Sequence, residues 1–183
     1  MKVKMVSEIG KLILHFELED TDKTQPSENF QMGSNVVTTI LPDDLDPDSI
    51  HPDLLGLSCI LICEPFIGKE ITLPKPVSKK FFEGHSKVTS RYKIRNFDDN
   101  LRPRKVKDDY LPALAFSGGV DSTAALSIMP HSTIPIFLDR PLKGSSLYNK
   151  DAAYQSCLEV SRLGYDMKII ESDLEYVRDP VGS

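Results

Sequence analysis

The sequence predicts an α/β protein, with a parallel sheet and flanking helices in its second half and a smaller α+β domain ahead of it. Three observations predict this. Between Leu111 and Ile170 three short apolar runs alternate with two runs at helical spacing, and the order β-α-β-α-β calls for parallel strands joined by right-handed crossovers. At the first strand-to-helix junction lies a loop of small residues, Ser117-Gly118-Gly119-Val120-Asp121-Ser122-Thr123. Residues 1–108 read instead as mixed strands and helices closed by a basic stretch at 87–108, so the expected domains are 1–108 and 109–183.

Taken in order, Leu12, Leu14, Phe16 and Leu18 alternate with Lys11, Ile13, His15, Glu17 and Glu19, the period of a strand with one buried face. Val3 and Met5 fit a partner strand across a turn at Ile9-Gly10. Residues 20–34 are polar and turn-rich and are expected to be a loop, whereas Asn35 to Leu41 is β-branched enough for another strand. Asp44, Asp46 and Asp48 alternate as in the first half of a calcium loop. Ser49 and Leu55 stand where that loop needs Gly and a bidentate Glu, so a solvated acidic turn is the better reading. Pro52 to Pro65 carries Leu54, Leu55, Leu57, Ile60, Leu61 and Ile62 and is expected to be a buried helix started near Asp48 or Ser49. Cys59 and Cys63, four apart on it, have the spacing of two metal ligands. No further Cys or His lies nearby in sequence, which favours small buried hydrophobes. Glu70 to Pro74 reads as extended, and Val77 to Phe82 opens a helix ended by Gly84. Residues 87–107 hold Lys87, Arg91, Lys93, Arg95, Arg102, Arg104, Lys105 and Lys107 against Asp98 and Asp99; they are either a solvated linker or a surface for phosphates.

In the second half, Leu111 to Phe116 reads as a short buried strand, and Ala124, Ala125, Ile128 and Met129 fall at helical spacing until Pro130 stops the run. Between them the two glycines let the backbone approach a ligand without Cβ interference. Asp121 or Ser122 is positioned to cap a helix whose first N–H groups lie unpaired, so an anion, most naturally a phosphate, fits there. Thr133 to Leu138 is the second strand, with Pro135 near its start and Asp139 and Arg140 at its carboxyl end. Residues 141–146 form a loop. Leu147 to Leu163 is a helix with Ala153, Cys157 and Val160 on one side and Gly164 just past its end, and Met167 to Ile170 is the third strand. The Ser117 loop, Asp139 and Glu171 then emerge at one rim, where ligands of such sheets collect.

Composition bounds the function. A net charge of -5 over 183 residues argues against a general nucleic-acid binder while allowing a local basic surface. Three cysteines suit free thiols in a reducing cytoplasm rather than a disulfide framework. Leu12 to Leu14 is too short for a signal-peptide core, and no segment approaches the roughly 20 apolar residues that span a bilayer. Neither Gly10-Lys11 nor Gly68-Lys69 is followed by the Ser or Thr of a Walker A loop, and Gly118-Gly119 does not supply Gly-x-Gly-x-x-Gly. There is no Ser-His-Asp or Cys-His pattern, and His15, His51, His85 and His131 receive no catalytic role.

Ser117-Gly118-Gly119-Val120-Asp121-Ser122 resembles the signature loop of the PP-loop family, the N-type ATP pyrophosphatases, with the strand before it and a Thr-Ala-Ala-Leu helix after it in place. Members amidate GMP, NAD precursors and aspartate, thiolate tRNA or form lysidine in it, and make 7-cyano-7-deazaguanine. The resemblance covers at most residues 111–175; the first hundred residues match no recognised family. It implies ATP and Mg2+ as cofactors, with Ser117, Gly118, Gly119, Val120, Ser122 and Thr123 around the β and γ phosphates. Asp121 would be a magnesium contact or the cap that shapes the loop, and adenine would lie near Phe137 to Arg140, against Leu138 and Asp139. The implied reaction is that of an AMP- and pyrophosphate-forming ligase: an oxygen of a carboxylate, amide or carbonyl attacks the α-phosphorus, and pyrophosphate leaves. The alternative is a nucleotide-binding or scaffold module without turnover. The second substrate is a small molecule, a nucleobase or a tRNA, for which the 87–107 surface would be one contact. The family's sheets have more parallel strands than the three readable here. The carboxyl-terminal part therefore reads as incomplete, a naturally short form or one whose sheet is completed by other segments, a homo-oligomer or a partner chain.

Overall fold

The computed structural model describes residues 1–42, 45–105, 109–142 and 148–181. They form two compact units: one takes 1–105 together with 173–181, the other 109–172. The strands of the first half are β1 (Lys2–Glu8), β2 (Lys11–Glu17), β3 (Phe30–Met32), β4 (Val36–Ile40), β5 (Glu70–Ile71), β6 (Val77–Ser78), β7 (Lys93–Ile94) and β8 (Phe97–Asp98). Those that follow are β9 (Ala113–Ala115), β10 (Ile134–Asp139), β11 (Lys168–Glu171) and β12 (Arg178–Pro180). The helices are α1 (Pro52–Cys63), α2 (Lys79–Val88), α3 (Val120–Ile128) and α4 (Lys150–Arg162). None of them is long and apolar enough to cross a membrane.

In the first unit, β1, β2 and β4 form an antiparallel sheet in that order, with Val3 opposite Phe16 and Leu14 opposite Val37. These four side chains share one buried face, as the alternation predicts. The turn between β1 and β2 turns on Gly10 at φ +70°, a conformation most residues avoid. α1 begins at Pro52, not near Asp48, because Pro47–Ser49 closes as a separate short turn capped by Asp46. His51 then caps α1, its Nδ1 accepting from Asp53 N–H at 3.2 Å. Leu55, Cys59, Ile60 and Cys63 of α1 are buried, whereas Leu54, Leu57 and Leu61 are exposed.

Four expectations are corrected. Residues 20–34 contain β3, whose partner β12 lies at the far end of the chain, so no short-range pattern reveals the pairing. The sequence division carried the second domain on to 183, whereas 173–181 belong with the first unit. Gly84 does not end a helix: Ser78 caps α2, accepting from Phe81 N–H at 3.2 Å, and the helix runs through Gly84 to Val88. A single exposed helical glycine costs only about 1 kcal/mol, too little to stop a capped helix. Between Tyr92 and Asp98 the basic stretch is not a free linker either, and Lys107 lies outside the described residues. β7 and β8 pair in parallel with β5 and β6, and Tyr92 and Ile94 are core residues. Lys69, Arg91, Lys93 and Arg95 line a groove of about 490 Å³, where Arg91 pairs with Glu64 and Arg95 with Glu19 and Glu70.

Cys59 and Cys63 are fully buried, and the Cys63 thiol donates to Cys59 O at 3.0 Å. Burial pushes the Cys59 thiol up to about 12 and raises that of Cys63 as well. Thiolates are the reactive form, so maleimide labelling of the folded protein near neutral pH is expected to be slow for both and fast once urea is added. Rapid labelling of folded protein at either cysteine would overturn this assignment.

In the second unit, the strand order is β11-β10-β9 with both pairings parallel. Its core joins Phe116, Leu126 of α3, Phe137, and Ala153, Cys157 and Val160 of α4. Both helices therefore pack on the face carrying Phe137. Pro135 is tolerated in the central strand: Ile134 N–H bonds to Pro112 O on the β9 side, and the β11 pairing begins only at Ile136. β9 is an edge strand whose Ala113 and Ala115 are exposed, contrary to the buried strand expected. α3 also turns differently from expectation. Ser122 and Leu126 face inward, and Ile128 is 86% exposed.

Candidate phosphate-binding site

Parallel pairing sets the carboxyl ends of β9, β10 and β11 on one rim. Asp139 lies opposite Glu171, and its carbonyl accepts from Ser172 N–H at 2.9 Å. The chain leaves β9 through Phe116, whose N–H donates to Ile136 O at 2.8 Å, and enters the loop at Ser117. The residues singled out by sequence, 117–123, Leu138 and Asp139, are thus brought to the same end of the sheet.

The loop turns on Gly118, at φ +76°. A Cβ there would sit 2.9 Å from Ala153 Cα and 3.2 Å from its Cβ, so α4 approaches the loop as closely as backbone allows. Gly119 has an ordinary φ of -83° and occupies the N-cap of α3 without a side-chain cap. Neither Asp121 nor Ser122 caps the helix. Asp121 is exposed in its first turn, and the buried Ser122 hydroxyl donates back to Gly119 O at 3.0 Å while accepting from Ser117 N–H at 3.3 Å. The Thr123 hydroxyl also donates to Gly119 O, at 2.9 Å. The buried Ser122 and the exposed Thr123 therefore both hold Gly119 O in place. Among the described residues, the amides of Gly118, Val120, Asp121 and Ser122 donate to no protein acceptor. N–H groups left unpaired at a helix amino terminus are the kind of donors that suit an anion.

Three side chains that sequence reasoning left aside complete the surroundings. Tyr148 donates its hydroxyl to Ser117 O at 3.1 Å. Tyr154 donates to Asp139 Oδ2, and the Lys150 ammonium forms an ion pair with Asp139 Oδ1, an oxygen with no hydrogen bond of its own. The hydrogen bond to Asp139 and burial push the Tyr154 hydroxyl up to about 12. Asp139 is 9% exposed, so its charge is compensated from within the unit, and Leu138 beside it is 38% exposed. A signal for this cluster was present in the sequence. Asn149 caps α4, accepting from Ala152 N–H at 3.0 Å, and from that start Lys150 and Tyr154 fall four apart on the inward side.

Comparison of the chain with protein-family models, with curated proteins and with solved structures finds no match. The functional reading therefore stands on the loop and its surroundings.

Proposed function

We propose that residues 109–172 form a nucleotide-binding unit of the PP-loop type, taking ATP with Mg2+ and splitting it between the α and β phosphates. One observation carries this reading: at the carboxyl rim of a parallel sheet a turn on Gly118 at positive φ leads into an uncapped helix start, with four amides that donate to no acceptor among the described residues. These amides, with the exposed Ser117 hydroxyl, would hold the β and γ phosphates. Fixed N–H donors stabilise the charge that grows on departing pyrophosphate without reorganising, which is where such a site lowers a barrier. Adenine would lie along Leu138 and the end of β10.

Magnesium fits the residues present in a limited way. Among the described residues no three His, Cys, Asp or Glu side chains gather as a cluster, but this ion is commonly held by one carboxylate together with phosphates and water. Asp121, exposed in the first turn of α3, would be that carboxylate. When bound, the ion supplies neutralisation of phosphate charge. In the overall step an oxygen of a carboxylate, amide or carbonyl substrate forms a bond to the α-phosphorus. The bond from that phosphorus to its bridging oxygen breaks, and pyrophosphate takes the electron pair.

A second reading is a nucleotide-binding or scaffold module without turnover. It is favoured by the internal pairing of Asp139 with Lys150 and Tyr154, which leaves Asp121 as the metal contact. Either reading suits a reducing cytoplasm, since the three thiols are free. A homo-oligomer or partner chain completing the sheet would add at β9 or β11, its outer strands. Incubation with α-labelled ATP and Mg2+ decides between the readings. AMP plus pyrophosphate is the expected product, rising with the correct member of a panel of carboxylates, nucleobases and tRNA. Tight binding without cleavage favours the module, and neither binding nor cleavage removes both.

A further inference from the structure

We propose that Lys150 is the phosphate-facing cation of this site, exchanging the Asp139 carboxylate for a phosphate oxygen when a nucleotide binds. The inference rests on the phosphate reading of the 117–123 loop. It begins with the distribution of positive charge in the unit. Arg162 pairs with Glu159 in the last turn of α4, and Lys168 pairs with Asp166 at the amino end of β11. At 1.5 Å per residue, Arg162 lies about 18 Å along the helix from Lys150. Among the described residues of the unit, this leaves Arg140 and Lys150 toward the carboxyl rim.

Lys150 is bracketed by contacts to the loop. Tyr148, two residues before it, donates to Ser117 O, and Ala153, one turn after it, lies against Gly118. Its own position runs against local electrostatics. It is the first residue of α4, where the helix dipole favours anions over cations, and the adjoining Asn149 already supplies the cap. A lysine there is stabilised by the Asp139 carboxylate and by Arg140 O, to which its ammonium donates at 3.2 Å, and not by the helix.

The partner is suited to exchange. The Asp139 side chain is 10% exposed and that of Lys150 27%, so the lysine is the more accessible member of the pair. Tyr154 keeps its hydrogen bond to Asp139 Oδ2 after Lys150 turns away, so the carboxylate retains one partner, at Oδ2. A partly desolvated ion pair carries a small net stabilisation because its solvation loss offsets most of the attraction. A phosphate oxygen with several negative charges behind it is the stronger competitor.

The test is calorimetric titration of ATP, ADP, AMP and adenosine into the full chain as wild type, Lys150→Met and Lys150→Arg, at two salt concentrations, with thermal midpoints recorded. The Met variant is expected to bind ATP about tenfold more weakly, with a flatter salt dependence, and adenosine as wild type does. Arginine is expected to restore most of the ATP affinity. If the Met variant fails to fold, Lys150→Gln and Lys150→Arg carry the same comparison. Unchanged ATP affinity in folded Lys150 variants overturns the proposal, as does an equal loss for ATP and adenosine, which marks a purely structural role. Wild-type protein that binds no nucleotide at all fails the phosphate reading itself and takes this inference with it.

Discussion

Gly118→Val is expected to abolish nucleotide binding and to destabilise the 109–172 unit by about 2–5 kcal/mol. Two separate costs add. The residue stands at φ +76°, where a side chain is strained by its own backbone. The new Cβ would also lie 2.9 Å from Ala153 Cα and 3.4 Å from Ala153 O, and backbone in a helix cannot give way as a side-chain tip can. Two other glycines separate the costs. Gly10 shares the positive φ, at +70°, but a Cβ there meets nothing within 4 Å, so Gly10→Ala should cost only about 1 kcal/mol in the other unit. Gly119 has no positive φ, and a Cβ there touches only Ser117 Oγ, at 3.4 Å, so Gly119→Ala should leave the fold intact and test the approach of a ligand alone. Urea unfolding followed by circular dichroism, with ATP calorimetry, checks all three. Wild-type stability and binding in Gly118→Val would remove the loop from the argument.

What the sequence disclosed was local, and what it hid was decided at a distance. The order of β9, α3, β10, α4 and β11 was legible because each apolar run is short and bounded by Gly or Pro. The glycine turn was legible because residue type alone decides which conformations are open. β3 was hidden since its pairing partner β12 is far along the chain, and the exposure of Ala113 and Ala115 followed from an edge position that no pattern within β9 reveals. Ile128 was expected inward from spacing, but the rotation of α3 was set by Leu126 packing on the core that Phe137 shares with α4. Lys150 and Tyr154 were passed over because charge and aromatic content in a helix usually mean a solvated face or a core contact. Their significance comes from Asp139, which a different strand delivers.

Asp139→Ala should therefore show effects well beyond one lost carboxylate. It strips Tyr154 of its acceptor and Lys150 of its counter-ion, and breaking a buried pair by removing one member costs about 3–5 kcal/mol. Because Lys150 retains access to water, a loss of about 2–3 kcal/mol is the discounted expectation. The pH dependence carries the sharper signature. In the wild type the hydrogen bond to the Asp139 carboxylate, with burial added to it, raises the Tyr154 hydroxyl from its ordinary value of 10.0 to about 12. A raised folded-state value means the stabilisation is fully present below the unfolded value and is lost as pH climbs through the folded one. The wild-type unit should then weaken across the alkaline window from about 10 to about 12. Asp139→Ala should shed the part of that dependence due to the hydrogen bond, with Tyr154 ionising earlier in near-ultraviolet absorbance titration. Tyr92, also raised to about 12 but by burial in the other unit, should titrate as before. In a Tyr154→Phe background the same alanine substitution should lose that large shift and leave only the smaller lowering of Tyr148, whose ionisation the Asp139 charge also opposes. An unchanged ionisation profile in Asp139→Ala would show that the Tyr154 hydrogen bond to Asp139 does not form in solution.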